Sequence, residues 1–192
     1  MSNGVLYTSY KCPYALRAMI ALERTGIEYS IREVLLAKIP NSLLFHSKKG
    51  TVPLFVFATG EVLDESMDIY QKFMGYEFSK SEKELVSFFD HDIKFHVDRY
   101  QRPNRYGITK PLQHRDMVIN MLRKFDYSRF NSFVSDAIFP FVRQFALVNE
   151  HWFESVELPN LKLWYAEQES TKTFQHIQSH YLENYACFLI EE

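Results

Sequence analysis

The spacing of apolar and polar positions changes character near residue 76. Before that point, short strand-like and helix-like segments alternate; after it, helical spacing dominates. Val5–Ser9 reads as a buried strand. Pro13–Thr25 reads as a helix whose apolar face carries Leu16, Met19, Ile20 and Leu22, with Gly26 placed to end it. Glu28–Leu36 partly alternates and predicts a second strand. Leu54–Ala58 and Glu61–Asp64 flank Thr59-Gly60, the signature of a tight hairpin. Ser66 then heads a short helix carrying Met67, Ile69, Tyr70 and Phe73, and its hydroxyl is placed to cap it. The polar stretch Gly75–Ser81 predicts a linker. Beyond it, helical segments are interrupted at Arg102-Pro103-Asn104, Lys110-Pro111 and Leu158-Pro159-Asn160. Ser132 is predicted as the N-cap of one of them, and Pro140 as a kink inside it.

The first half has the order β-α-β-(α)-β-β-α. That order suits a mixed sheet built from a right-handed crossover and a terminal antiparallel hairpin, as in a thioredoxin-like domain. The expectation is an α/β thioredoxin-like domain over residues 1–75 followed by an all-α domain over residues 82–192. No internal repeat or low-complexity tract disturbs this division.

Composition narrows the function classes. The chain has 192 residues, 46% of them hydrophobic and 24% charged, which is enough apolar material for a substantial core. A formal net charge of −2 with no basic stripe argues against a nucleic-acid surface. No apolar run reaches the length of a membrane span, and the first residues lack the pattern of a signal peptide. Two cysteines, Cys12 and Cys187, make a poor disulfide framework and point to a reducing, cytoplasmic setting.

Cys12 stands in Lys11-Cys-Pro-Tyr-Ala15, at the junction of the first strand and the first helix. A cysteine there is either a small buried hydrophobe or an activated thiol. With Pro13 as the first helical residue, Cys12 is the N-cap, and its sulfur meets unpaired backbone N–H groups. Their partial positive charge favours thiolate over thiol, and thiolate is the nucleophile. Ala15 occupies the place of a second cysteine, so any thiol–disulfide exchange needs an external thiol.

Two further motifs bear on this thiol. In Gly50-Thr-Val-Pro-Leu-Phe55, a cis Val52–Pro53 bond in a thioredoxin-like setting turns the Val52 carbonyl and N–H toward the cysteine. There they can pair with an extended peptide as an added strand does. In Asp64-Glu65-Ser66, a helix N-terminus and a carboxylate stand side by side. They can receive the carboxylate and ammonium of an α-amino acid end, although the same residues also describe an ordinary acidic helix cap.

Together these residues resemble the glutathione S-transferase superfamily over nearly the whole chain. C-P-Y-A-L-R-A, G-T-V-P-L-F and D-E-S have the order and spacing of its cysteine-type, omega-like and glutaredoxin-like members. D-I-K-F-H-V-D-R-Y-Q-R-P at Asp92–Pro103, A-I-F-P-F-V-R-Q-F-A at Ala137–Ala146, Trp152-Phe153 and Leu158–Leu161 are similar to bacterial members. The resemblance implies a cytoplasmic homodimer with glutathione as co-substrate. Cys12 is then the catalytic residue, and Val52, Pro53, Glu65, Ser66, Tyr14 and Lys38 hold the tripeptide. Lys38 stands one place upstream of the family's usual lysine, and Ser135 replaces the aspartate of the usual capping box, with Asp136 following.

The resemblance also implies a thiol or disulfide acceptor, small molecule or protein, contacted by Phe95, Arg99 and Tyr100. Two alternatives are a non-catalytic binding protein on the same fold and a conjugating transferase that uses a hydroxyl of Tyr7, Ser9 or Tyr10. No metal site is expected. His176 and His180 share a helix face without a third ligand, and His91 and His96 do not share one. The 17 phenylalanines and 12 tyrosines are read as core packing and pocket lining, and Cys187 as packed and inert.

Overall fold

A computed structural model describes residues 3–188, with side chains through residue 182. Cys187, expected to be packed and inert, has its side chain outside the described residues. Four strands form one mixed sheet: β1 (Gly4–Thr8), β2 (Ser30–Glu33), β3 (Leu54–Phe57) and β4 (Val62–Leu63), in the order β2-β1-β3-β4. β1 pairs with β2 in parallel, and with β3 antiparallel; β3 and β4 close the antiparallel hairpin. The helices α1 (Pro13–Thr25), α2 (Asn41–His46) and α3 (Ser66–Met74) are threaded between and after these strands, giving the predicted order. The remainder is helical: α4 (Lys80–Phe88), α5 (Lys94–Gln101), α6 (Pro111–Leu122), α7 (Ser132–Val148), α8 (Glu150–Ser155), α9 (Pro159–Glu169) and α10 (Lys172–Phe188). This is the expected thioredoxin-like α/β module with an all-helical remainder.

The pleat sends the apolar residues of β1 and β3 to both faces of the sheet, and both faces are covered. Val5 and Tyr7 of β1 lie opposite Val56 and Leu54 of β3, and their side chains join Leu43 of α2 and Ala15 of α1 in one cluster. On the other face Leu6 lies opposite Phe55, whose ring meets Phe73 of α3 edge-on. Gly4 of β1 lies close against β3. A Cβ there would stand 2.4 Å from the Val56 carbonyl oxygen and 2.9 Å from the Phe55 ring. Gly4→Ala is therefore expected to lower unfolding stability by about 1–3 kcal/mol, measured by urea denaturation, because the nearest obstacle is backbone.

Helix ends account for most differences from the predicted boundaries. α1 begins at Pro13, and Gly26 ends it in the left-handed region at φ 64°. The second strand is shorter than predicted, since a turn closed by the Lys38 N–H on the Leu35 carbonyl follows it. The predicted linker is shorter too. Ser79 and Glu82 form a reciprocal capping box that starts α4 at Lys80.

Two predicted caps are corrected. Ser66 is the first helical residue of α3, and Glu65 is the N-cap without a side-chain cap bond. Ser132 likewise lies inside α7, because the Asn131 side-chain oxygen already accepts from the Val134 N–H at 2.9 Å. α7 runs through Pro140 as one helix of 17 residues.

The chain divides into two compact units. Residues through Glu77 group with the segment from Ser170 onward, and Phe78–Glu169 form the second unit. In the first unit α10 packs on α1, and the stacked rings of Tyr10 and Tyr181 (3.9 Å, 14°) fasten it there. The second unit is built around Phe89, Ile93, Phe139, Phe141, Phe145 and Trp164, all buried. Its polar anchor is the Trp164 indole N–H, which donates to the Ser135 hydroxyl at 3.1 Å.

Candidate functional site

Cys12 caps α1 with extended backbone (φ −90°, ψ 121°) and no side-chain cap bond. Its N–H donates to the Ser9 carbonyl at 2.8 Å, which closes the turn leading out of β1. The side chain is half-buried against the cluster formed by Tyr7, Ala15, Val34, Leu43 and Val52. The Val52–Pro53 bond is cis. The Val52 carbonyl faces the thiol, with its oxygen 3.9 Å from Cys12 Sγ. The structure thus brings Cys12, Val52 and Pro53 together.

The second cluster lies at the start of α3. Ser66 is buried, and its hydroxyl accepts from Nη1 of Arg17 at 3.1 Å. Arg17 itself is fully buried on α1, with its guanidinium 6.0 Å from the Tyr14 ring centroid. Glu65 points outward and pairs with Lys49. Ser47 donates to Asp64 Oδ2, while Asp64 Oδ1 is buried without a hydrogen-bond partner among the described residues. The uncapped first turn of α3 adds backbone N–H groups to this cluster. The result is a surface of paired carboxylates next to backbone donors, suited to a group carrying both an ammonium and a carboxylate. Lys38 is exposed on the turn after β2, where its backbone N–H donates to the Leu35 carbonyl at 2.8 Å.

Three residues in this region have no role assigned from the sequence: Glu33, Lys49 and Arg17, the last within C-P-Y-A-L-R-A. Arg17 had one available signal, a charged residue set between apolar neighbours on the buried face of a predicted helix. Glu33, at the end of β2, accepts from the Tyr10 N–H at 3.1 Å and from the Ser9 hydroxyl. It therefore braces the loop that leads into Cys12. Burial pushes its carboxyl from 4.5 up to about 7, against the opposing pull of those two hydrogen bonds and of Lys11.

A carboxyl raised in this way binds more protons in the folded state than in the unfolded chain between the two values. Its contribution to stability is then highest below pH 4.5 and is lost as pH rises through 7. The interval sets an upper limit of about 3 kcal/mol. Glu33→Gln should accordingly gain stability over the parent as pH increases from 5 to 8, read as a growing difference between their urea midpoints. A difference that stays constant over that range rules the assignment out.

The side chains considered as alternatives have other partners. Tyr7 accepts from Nη1 of Arg32 at 3.5 Å, Ser9 is bonded to Glu33, and Tyr10 is stacked on Tyr181. In the second unit, the Arg99 guanidinium lies 3.3 Å from the Phe95 ring centroid and 4.7 Å from that of Tyr106. Phe95 is exposed and joined to Arg99, while Tyr100 turns toward buried Phe145, with centroids 6.1 Å apart. His176 is exposed and pairs with Glu23 at 2.6 Å. Among the described residues no cluster of three or more metal-capable side chains occurs, and no helix is long and apolar enough to cross a membrane.

Comparison with known proteins follows the same lines. Residues 11–73 match the family described as glutathione S-transferase, N-terminal domain. No curated protein matches the chain. Among solved structures, a glutathione S-transferase from Rhodospirillum rubrum F11 has a TM-score of 0.71 at 18% identity, covering 89% of this chain and 90% of its own. Glutathione transferase Omega 3C from Trametes versicolor gives 0.68 at 20% identity, covering 91% and 88%. The glutathione transferase URE2P6 from Phanerochaete chrysosporium, solved with oxidised glutathione, gives 0.78 at 15% identity, covering 95% and 97%.

Proposed function

We propose, from the glutathione S-transferase N-terminal domain at residues 11–73 and the superfamily fold around it, that this chain is a glutathione-dependent thiol transferase acting through Cys12. The observation that carries the reading is the placement of Cys12 Sγ at the uncapped start of α1, 3.9 Å from the Val52 carbonyl oxygen. The helix N-terminus favours the thiolate, and half-burial leaves the sulfur open to attack.

The reaction balances in two displacements. The Cys12 thiolate attacks the glutathionyl sulfur of a mixed disulfide, forms an S–S bond to it and releases the acceptor as thiolate. The thiolate of a second glutathione then attacks that same glutathionyl sulfur, releasing oxidised glutathione and restoring Cys12. Val52 offers its backbone to the cysteinyl part of the tripeptide, as an added strand would meet it. The uncapped turn of α3 with Ser66 receives the γ-glutamyl carboxylate. Asp64 and Glu65 receive its ammonium, which competes with Lys49 for Glu65. The solved relative holding oxidised glutathione supports the choice of tripeptide.

A conjugating mechanism through Tyr7, Ser9 or Tyr10 is less well supported, since each of these side chains already has a structural partner. The direct test is incubation of the protein with oxidised glutathione, followed by intact mass measurement and peptide mapping. One glutathionyl adduct on Cys12, removed by free glutathione, is the expected result. The absence of an adduct, together with no retention on immobilised glutathione, would sink the proposal and favour a non-catalytic binding protein.

A further inference from the structure

The geometry points to a divalent transition-metal site formed by His96 of α5 and His114 of α6. The two helices pack against each other within the second unit, and the two rings meet nitrogen to nitrogen. Nδ1 of His96 lies 2.7 Å from Nδ1 of His114, with ring centroids 4.9 Å apart. A histidine pair in this attitude has two uses for its nitrogens. In the metal-free protein one Nδ1–H donates to the other Nδ1. If the donating ring shifts its proton to Nε2, both Nδ1 lone pairs become free for a shared ion, with no net change in protonation.

The spacing suits an ion of this class. Two imidazole nitrogens bound at about 2.0–2.1 Å, at angles between square and tetrahedral, stand about 2.9–3.3 Å apart. The observed pair needs to open by a few tenths of an ångström, and because the two rings stand nearly head to head, each must also turn to aim its lone pair at a shared ion beside the line joining them. The rings are also constrained before any ion arrives. Phe95 lies edge-on to His96 and tilted against His114, with centroids 5.1 and 6.2 Å away.

Room and charge complete the case. The pair opens into a surface groove of about 450 Å³, lined also by Gln113, Asp116, Met117 and Asn120. That volume accommodates water molecules in the coordination positions that two protein ligands leave unfilled. The Asp116 carboxylate lends negative charge to the groove, with one of its oxygens held by Arg115. Arg99 opposes the ion, but its guanidinium is fixed over the Phe95 and Tyr106 rings and donates to the Phe95 carbonyl at 3.1 Å. Imidazole donors without a thiolate select copper, nickel and zinc over magnesium and calcium. An ion held by both rings ties α5 to α6, so binding stabilises the second unit by mass action.

The test uses Ni²⁺ alone and the full chain with Cys12→Ser and Cys187→Ser, which removes competing thiols. Titration calorimetry should show one ion per chain. His96→Ala and His114→Ala should each weaken binding at least about tenfold, while a His176→Ala/His180→Ala double variant binds as the parent does. Circular dichroism verifies that the variants fold. If either does not, histidine-selective NMR of the parent decides, since Ni²⁺ should broaden His96 and His114 before His176 and His180. Equal binding after loss of either histidine overturns the proposal. So does preferential broadening at His176, or the absence of binding at about 1 mM Ni²⁺.

Discussion

Cys12→Ser is expected to abolish glutathione-dependent reduction of a mixed-disulfide substrate, lowering kcat/KM by about 10³-fold or more. A serine hydroxyl at the same N-cap is not ionised at neutral pH and cannot form the disulfide intermediate on which both displacements depend. The helix start and the Val52 carbonyl remain in place, so glutathione affinity should change little. Steady-state kinetics with a glutathionylated peptide, alongside calorimetry with glutathione, separates the two quantities. Retained turnover in Cys12→Ser, or a gain in conjugation of an electrophile, would transfer the chemistry to a hydroxyl and end the thiol mechanism.

Arg17→Ala carries the largest expected loss of stability, about 3–5 kcal/mol by urea denaturation. The side chain is fully buried and reaches across from α1 to donate to Ser66 at the start of α3. Its removal leaves both a cavity and an inward-facing hydroxyl without this donor. Arg17 acts as a positioning residue, since it holds the first turn of α3 in the place where the γ-glutamyl carboxylate is proposed to bind. Arg17→Ala should therefore also raise KM for glutathione by roughly tenfold, and leave kcat comparatively intact. Arg17→Lys keeps the charge but loses the planar fork, and should fall between the two proteins in both measurements. A folded Arg17→Ala protein with unaltered glutathione affinity would leave Arg17 a purely structural part.

The site was unevenly legible in the chain. Cys12 before Pro13 announces itself because N-cap chemistry is local: proline at the first helical position fixes where the helix begins, and hence where the thiol sits. Val52–Pro53 was recognisable only in combination with Cys12, because the value of a carbonyl facing a thiol depends on β3 lying beside β1. The position of Ser66 at a strand-to-helix junction predicts a cap. A buried arginine arriving from α1 draws its hydroxyl inward, and no pattern within α3 records that arginine. Ser132 was displaced as a cap for a simpler reason, since Asn131 is an equally good capping residue one position earlier.

Local order decided the rest of the architecture. The apolar runs Val5–Thr8 and Leu54–Phe57, the helical stripe of Leu16, Met19, Ile20 and Leu22, and Gly26 at the helix end are short-range signals. They determined the element order, and with it the thioredoxin-like sheet. Contacts between residues far apart in the chain have no such signal. Glu33 braces the Ser9–Tyr10 loop, Lys49 reaches Glu65, Arg17 bonds Ser66, and His96 meets His114 only because folding brings separate elements together. The sequence by itself determined which elements form and which thiol lies at a helix start, because those depend on neighbours within a few residues. Tertiary structure alone decided which side chains face that thiol and what each is bonded to, because those depend on distances that no local spacing encodes.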